Sequence, residues 1–245
     1  MPMSDLLLTK RHLLGGTAAA AVSVAFAAFA DTASAANATS ASGADESAAG
    51  AASPEDQVPD VDGTVDMNEV LKPGALPEIA MGKEDAPVKI VEYMSLTCPH
   101  CAHFAVTTFD AIKQKYVDTG KVRFIIREFP FDPRAAAAFM LARCAPQEQY
   151  MPMVEMLFKQ QIAWASPDVD GRAALLQMSK LAGFTEDSFT KCLTNQKLLD
   201  DVNSVRERAA KEFGDNATPT FLINGKRYAG DMSVVAMSKL IDSFL

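Results

Sequence analysis

The chain has 245 residues, of which 49% are hydrophobic and 22% are charged, so it is long enough for one large domain or two small ones. Its net charge is −8 at neutral pH, and residues 36–66 carry seven acidic side chains and no basic one. The rest of the chain is nearly neutral, which excludes the strongly basic surface with which proteins bind nucleic acids.

The N-terminus has the pattern of an export signal. Lys10 and Arg11 precede an uncharged, mostly apolar stretch over residues 13–30, and the small residues Ala-Ser-Ala follow at positions 33–35. Signal peptides are cleaved after small residues of this kind, so the sequence predicts a signal peptide over residues 1–35. The alternative is an uncleaved membrane anchor, since about 18 apolar residues is the lower limit for spanning a bilayer.

Residues 36–66 form a low-complexity segment of Ala, Ser, Gly, Asp and Glu that also contains Pro54 and Pro59. The segment has almost no large apolar side chain, and without apolar burial the entropy cost of folding is not repaid. We therefore predict a disordered spacer over residues 36–66.

A strand, a helix and a second strand follow. Residues 88–94 are rich in β-branched and aromatic side chains, which is typical of a buried strand. Four apolar residues then recur at helical spacing: Ala105, Phe109, Ile112 and Tyr116. Gly120 ends this helix, and residues 122–129 form the next strand. This order predicts a right-handed βαβ unit with parallel strands.

The next 80 or so residues contain no strand pattern, and we predict that residues 131–213 form an all-helical domain. Strand patterns return over residues 220–223 and 227–229, joined by the hairpin turn Asn224-Gly225, and a helix follows over residues 232–244. The sequence thus predicts an α/β thioredoxin-like fold, residues 67–130 and 214–245, with an inserted helical domain.

The sequence Cys98-Pro99-His100-Cys101 lies where the first strand ends and the helix begins. Free N–H groups and the helix dipole at a helix N-terminus stabilise a thiolate, so we expect a lowered pKa for Cys98. The His100 imidazole can donate to this thiolate or, when protonated, pair with it. We expect Cys98 to be the attacking sulfur and Cys101, one turn further in, to be the resolving one.

Three other interpretations compete for this cysteine pair. A structural disulfide fits less well with a strand-to-helix junction of a βαβ unit. Half of a zinc site is disfavoured because His100 and His103 lie on different sides of the helix and no second ligand pair is near. A haem attachment site needs a histidine directly after the second cysteine, where this chain has Ala102. We therefore predict no metal site.

Two further positions near the cysteines carry candidate roles. Glu92 lies inside the first strand, where a buried acid is costly unless it has a purpose such as proton exchange with Cys101. The alternative is a strand-edge residue with its carboxylate in solvent. Pro219 precedes the third strand; a cis bond there would open the backbone edge of Thr218 to an extended substrate, and the alternative is an ordinary trans proline.

These motifs resemble the DsbA family of periplasmic thiol oxidases over about residues 79–245. The segments that carry the resemblance are Glu92-Tyr93-Met94-Ser95, Cys98-Pro99-His100-Cys101, Ala217-Thr218-Pro219-Thr220-Phe221 and Asn224-Gly225. The resemblance implies a periplasmic location, a cis Pro219, a buried acid at Glu92, a nucleophile at Cys98 and a quinone-linked membrane oxidase as re-oxidant. Thr218 departs from the best-studied members, which have valine before the proline.

Cys144 and Cys192 lie on two predicted helices of the insertion. In an exported protein they are candidates for a structural disulfide, and the alternative is two buried free thiols. Some α-proteobacterial relatives are similar in carrying a second bridge, which favours the disulfide.

We expect a monomeric enzyme that oxidises reduced, unfolded exported proteins and uses no cofactor beyond the redox-active disulfide Cys98–Cys101. Two alternatives remain at this stage. One is a disulfide isomerase or reductase on the same fold, and the other is a non-enzymatic metal-binding or chaperone module.

Overall fold

The computed structural model describes residues 56–245. The predicted signal peptide, its membrane-anchor alternative and the spacer before residue 56 lie outside the described residues. Within the described part, no helix is both long and apolar enough to cross a membrane.

A six-stranded mixed sheet organises the fold, in the order β1-β6-β5-β3-β4-β2. Only β3 and β4 pair in parallel, as expected for a βαβ unit, and the other neighbours pair antiparallel. The strands are β1 (Gly63–Thr64), β2 (Ile79–Met81), β3 (Val88–Met94), β4 (Val122–Glu128), β5 (Thr220–Ile223) and β6 (Lys226–Ala229).

Ten α-helices are formed by the described residues. A π-helical turn over Lys113–Val117 extends α3, and a 3₁₀ turn over Gln147–Gln149 precedes α5. The α-helices are α1 (Met67–Val70), α2 (Pro99–Thr107), α3 (Phe109–Ile112), α4 (Pro133–Cys144), α5 (Tyr150–Lys159), α6 (Gln161–Ala165), α7 (Gly171–Leu181), α8 (Glu186–Leu193), α9 (Gln196–Phe213) and α10 (Val234–Asp242).

The fold class predicted from the sequence is confirmed, because the four predicted strands are β3, β4, β5 and β6 and the described chain between β4 and β5 is helical. Asp132 begins α4 by accepting a hydrogen bond from the Ala135 amide at 2.9 Å, and Pro133 takes the first helical position. At the other end of this region, Gly214 ends α9 with φ of +65°, a backbone conformation that favours glycine.

The sheet has an apolar layer on each side because alternate residues of a strand point to opposite faces. Ile90 and Met94 of β3 pack with the layer that contains α2, α5 and most of the inserted helices. Val91 and Tyr93 pack on the other side, with Ala209 and Phe213 of α9. The sheet therefore lies between α2 and α9, and the carboxyl end of β3 emerges between these layers.

The prediction of a disordered spacer up to residue 66 is wrong at its C-terminal end. Gly63 and Thr64 form β1, which pairs with Arg227 and Lys226 of β6. The Arg227 guanidinium also reaches the Asp62 carboxylate at 3.0 Å. Backbone pairing and one ion pair thus order a segment whose side chains supply no apolar pattern.

The insertion carries a disulfide between Cys144, the last residue of α4, and Cys192 of α8. The two Cα atoms are 6.1 Å apart, and 48 positions separate the residues in the chain. The bridge therefore fixes two helices that are distant in sequence and adjacent in the folded insertion.

Candidate active site

Cys98 and Cys101 lie at the tip of α2, directly beyond the carboxyl end of β3. Cys98 is the residue that precedes the first helical position, Pro99, and its side chain is half-buried. Cys101 is fully buried one turn further along the helix, and both residues are free thiols. An incoming thiolate can therefore approach Cys98, whereas Cys101 is covered.

The two sulfurs differ sharply in their affinity for protons. The Cys101 thiol donates to the Cys98 sulfur, and this hydrogen bond is the main cause that lowers the pKa of Cys98 to about 5. The Thr218 hydroxyl and the backbone N–H groups of Cys101 and His100 lower it further, against the opposing effect of burial. Burial and the neighbouring Cys98 raise the pKa of Cys101 well above its ordinary value. At neutral pH Cys98 is therefore a thiolate and Cys101 a thiol.

His100 contributes through its backbone and not through its imidazole. Its side chain is exposed and forms no hydrogen bond or ion pair with Cys98 in the described structure. The expectation that the imidazole donates to the thiolate is therefore wrong, because α2 directs the side chain towards solvent and presents the backbone N–H to the sulfur.

Glu92 is buried in β3, between β4 and β5, so the strand-edge alternative is wrong. Burial raises the pKa of Glu92 to about 8, and the negative charges of Asp231 and Cys98 add to the effect. The Glu92 charge in turn raises the pKa of Cys101. At neutral pH the Glu92 carboxyl mostly holds a proton, in electrostatic contact with both members of the cysteine pair.

The Thr218–Pro219 peptide bond is cis and directly precedes β5. The Thr218 carbonyl oxygen lies 3.2 Å from the Cys98 sulfur, from which it accepts a hydrogen bond when Cys98 is protonated, although the two residues are 120 positions apart. The structure thus brings together Cys98, Cys101, Glu92, Thr218 and Pro219 at one end of the sheet.

Two positioning contacts were not predicted from the sequence. The Gln161 amide of α6 donates to the carbonyl oxygens of Leu96 and Cys98, each at 2.9 Å. The Thr97 hydroxyl donates to the Asp132 carboxylate at 2.5 Å. Both partners come from the insertion, so the helical domain holds the cysteine loop from outside the thioredoxin half.

A third unpredicted contact joins the two halves of the thioredoxin domain. The His103 imidazole of α2 contacts the Asp231 carboxylate, which follows β6. No motif marks Asp231, because its partner is 128 positions away. Residues 56–245 contain no cluster of three or more His, Cys, Asp or Glu side chains that could hold a metal ion.

Comparisons with known proteins agree with this geometry. A family model described as thioredoxin matches residues 75–243. A Rickettsia bellii protein named a protein-disulfide oxidoreductase is 32% identical over 166 residues, which are 67% of this chain and 63% of that protein. The chain thus spans less than two thirds of the length of the Rickettsia relatives it matches.

Solved structures of disulfide oxidoreductases are also similar to this chain. Alpha-DsbA1 of Wolbachia pipientis is 31% identical with a TM-score of 0.66, and the match covers 72% of this chain and 94% of that one. BdbD of Bacillus subtilis shares the fold. It is 20% identical with a TM-score of 0.59, and the match covers 77% of this chain and 97% of that one. The chain therefore belongs to the DsbA family of thioredoxin-fold proteins.

Proposed function

We propose that the chain is a thiol:disulfide oxidoreductase that introduces disulfide bonds into exported proteins in the periplasm. The observation that carries the proposal is the opposite pKa shift of two adjacent sulfurs. A thiolate at Cys98 and a protonated Cys101 are the products that a disulfide gives when it oxidises a client.

The reaction starts from the oxidised pair. A client thiolate attacks the Cys98 sulfur, a client–Cys98 disulfide forms, and the Cys98–Cys101 bond breaks. Cys101 leaves as a thiolate, and the Glu92 carboxyl supplies the proton that its raised pKa makes available. A second client thiolate then attacks the client sulfur, and Cys98 leaves as a thiolate. Two electrons have passed from the client to the pair.

The direction of the reaction follows from the stability of the reduced pair. The Cys101 thiol, the Thr218 side chain and the α2 backbone stabilise the Cys98 thiolate, and none of them acts on a thiolate in the oxidised form. Whatever stabilises the reduced form makes the disulfide a stronger oxidant. We therefore assign oxidation rather than isomerisation or reduction.

Each turnover leaves Cys98 and Cys101 reduced, so the cycle needs a second protein that removes two electrons. We propose a quinone-linked membrane thiol oxidase similar to DsbB, as the family resemblance implies. The clients are reduced, unfolded exported proteins, the chain acts as a monomer, and the redox group is the Cys98–Cys101 disulfide.

The reduction potential of the Cys98–Cys101 couple tests this proposal. The chain is equilibrated with glutathione buffers of known ratio, with the Cys144→Ala/Cys192→Ala double variant as the matched control. We expect a value well above the roughly −270 mV of thioredoxin and towards the roughly −120 mV of strongly oxidising members of the fold. A value near that of thioredoxin would contradict the oxidase assignment. Efficient refolding of scrambled ribonuclease would favour an isomerase, and zinc retained on purification would favour a metal-binding module.

A further inference from the structure

A groove built around Phe131 is connected to the cysteine loop through Asp132, which binds Thr97, and has no role in the chemistry described above. Phe131 is half-exposed and borders two depressions of about 380 and 290 Å³, which also share Arg206. The Phe131 ring packs edge-on against the buried Phe129 ring, with 5.2 Å between centroids. An exposed aromatic side chain held in this way is a fixed apolar contact surface. We call these two depressions the Phe131 groove.

Both walls of the Phe131 groove connect directly to Cys98. On one wall, Phe131 precedes Asp132, whose carboxylate binds the hydroxyl of Thr97, the neighbour of Cys98. On the other wall, Asn216 stands two positions before Thr218, whose carbonyl oxygen contacts the Cys98 sulfur. An extended chain advances about 3.3 Å per residue, so a client bound at Cys98 reaches the groove within roughly three to five residues.

The wall next to Thr218 contains a buried acid with spare hydrogen-bonding capacity. Asp215 is 1% exposed and lines the larger depression. One of its carboxylate oxygens accepts from the Ala217 amide at 3.3 Å, and the other has no partner within residues 56–245. An unsatisfied buried acceptor costs about 1–3 kcal/mol, so the site favours an occupant that brings an N–H group.

The charges of the groove further define its occupant. Arg206 and Lys211 line the larger depression together with Glu207, and Lys211 pairs with Glu207 at 3.3 Å. The Arg206 guanidinium donates to the Pro130 carbonyl oxygen at 3.3 Å, and Arg206 lines both depressions. Because the groove holds both basic and acidic residues, a charged side chain of either sign would meet a like charge there, whereas an aromatic or large aliphatic side chain can contact Phe131 and Ala210.

We propose that the Phe131 groove is a client subsite that binds an aromatic or large aliphatic side chain three to five residues from the reacting cysteine of an extended polypeptide. The backbone N–H groups of the same segment are the donors that Asp215 lacks. This inference rests on the proposed function, since it assigns client preference to an oxidase whose covalent chemistry occurs at Cys98.

Paired peptides test the inference. Each peptide contains two cysteines and differs from its partner only by Phe or Ser at a position three to five residues from the first cysteine. The oxidised chain is mixed with each peptide, and the second-order rate constant of peptide oxidation is measured by chromatography of quenched samples. We expect the Phe peptides to react about tenfold faster, the effect of burying one large apolar side chain.

Phe131→Ala is expected to reduce this Phe/Ser rate ratio to near 1, and Phe131→Leu, which keeps an apolar side chain, is expected to retain most of it. Ile162→Ala is the matched control, because Ile162 is also an exposed apolar residue and follows Gln161 near the cysteine loop. A ratio that survives Phe131→Ala, or that Ile162→Ala abolishes, overturns the subsite and leaves the oxidase intact. A wild-type chain that oxidises neither peptide overturns the proposed function itself.

Discussion

The two cysteine pairs differ in spacing, surroundings and state, although both lie on helices of the same chain. Cys98 and Cys101 share one turn at a helix N-terminus and are free thiols with pKa values shifted in opposite directions. Cys144 and Cys192 belong to separate helices and are joined. A disulfide that must open and close needs sulfurs that differ in exposure and proton affinity. A disulfide that only fixes two helices has no such requirement.

Removing the attacking sulfur should have the largest effect. We expect Cys98→Ser to abolish peptide oxidation, because a serine hydroxyl can form neither the internal disulfide nor the mixed disulfide. The Cys144→Ala/Cys192→Ala variant should retain its rate, since that pair has no part in the proposed steps. Both are measured as the initial rate of oxidation of a dithiol peptide. Oxidation by Cys98→Ser would contradict the division of roles between the pairs.

Removing the second pair should act on stability instead. The Cys144–Cys192 bridge closes a loop of 48 positions, and a loop of that size stabilises a fold by roughly 4 kcal/mol through the entropy of the unfolded chain. We expect Cys144→Ala/Cys192→Ala to lower the free energy of unfolding in urea by an amount of this order. The unreduced wild type, measured in the same buffer, is the reference. An unchanged free energy of unfolding would show that the bridge is not structural.

Glu92 adds to the difference between the two cysteine pairs, because its charge acts on the Cys98–Cys101 pair alone. Its pKa is about 8 in the folded chain and about 4.5 in the unfolded chain, so folding takes up a proton between these values. The raised pKa therefore lowers the free energy of unfolding. This loss is absent below pH 4.5, increases as the pH rises and is complete above pH 8. We expect Glu92→Gln, which has no such loss, to be more stable than the wild type by about 3 kcal/mol at pH 7.

The pH dependence provides the check on Glu92. Urea unfolding of reduced wild type and Glu92→Gln at pH 4, 7 and 9 should give a stability difference that is small at pH 4 and grows with pH. If the same difference were present at pH 4, it would arise from packing and not from ionisation. Glu92→Gln should also slow the formation of the client–Cys98 disulfide, because the amide cannot donate the proton that the departing Cys101 takes up in the proposed mechanism.

How far the sequence predicted this structure depends on how local each signal is. The strand at residues 88–94 was predicted to the residue, and the predicted end of the helical region at residue 213 is the end of α9, because each of these has its own local signal. β1 and β2 were missed since strands of two and three residues have no readable alternation. The predicted boundary at residue 66 failed because the order of Gly63–Thr64 comes from pairing with β6.

The same distinction holds within the site. Cys98, Cys101 and the helix start are contiguous in the chain, so their arrangement could be predicted. Gln161 contacts the cysteine loop from 63 positions away, and Asp231 contacts α2 from 128 positions away. Neither residue lies in a motif. His100 was misjudged because its place between the cysteines says nothing about the direction of its side chain, which the geometry of α2 decides. Side-chain direction and long-range contacts are the parts that required the structure.

Thr218 offers the smallest and sharpest test of the electrostatic difference between the pairs. Its hydroxyl is one of several groups that lower the pKa of Cys98, after the larger effect of Cys101. Thr218→Val removes that donor at nearly constant shape and should raise the pKa of Cys98 above about 5 while keeping it below the ordinary value of 9. The rate of alkylation by iodoacetamide as a function of pH measures the pKa of Cys98.

Thr220→Val is the matched control, because it removes a hydroxyl that donates to the Ala217 carbonyl oxygen. It should leave the pH profile of alkylation unchanged. If both variants shifted the profile equally, the cause would be a displacement of the loop before β5. A shift confined to Thr218→Val would assign the effect on the pKa of Cys98 to the Thr218 hydroxyl.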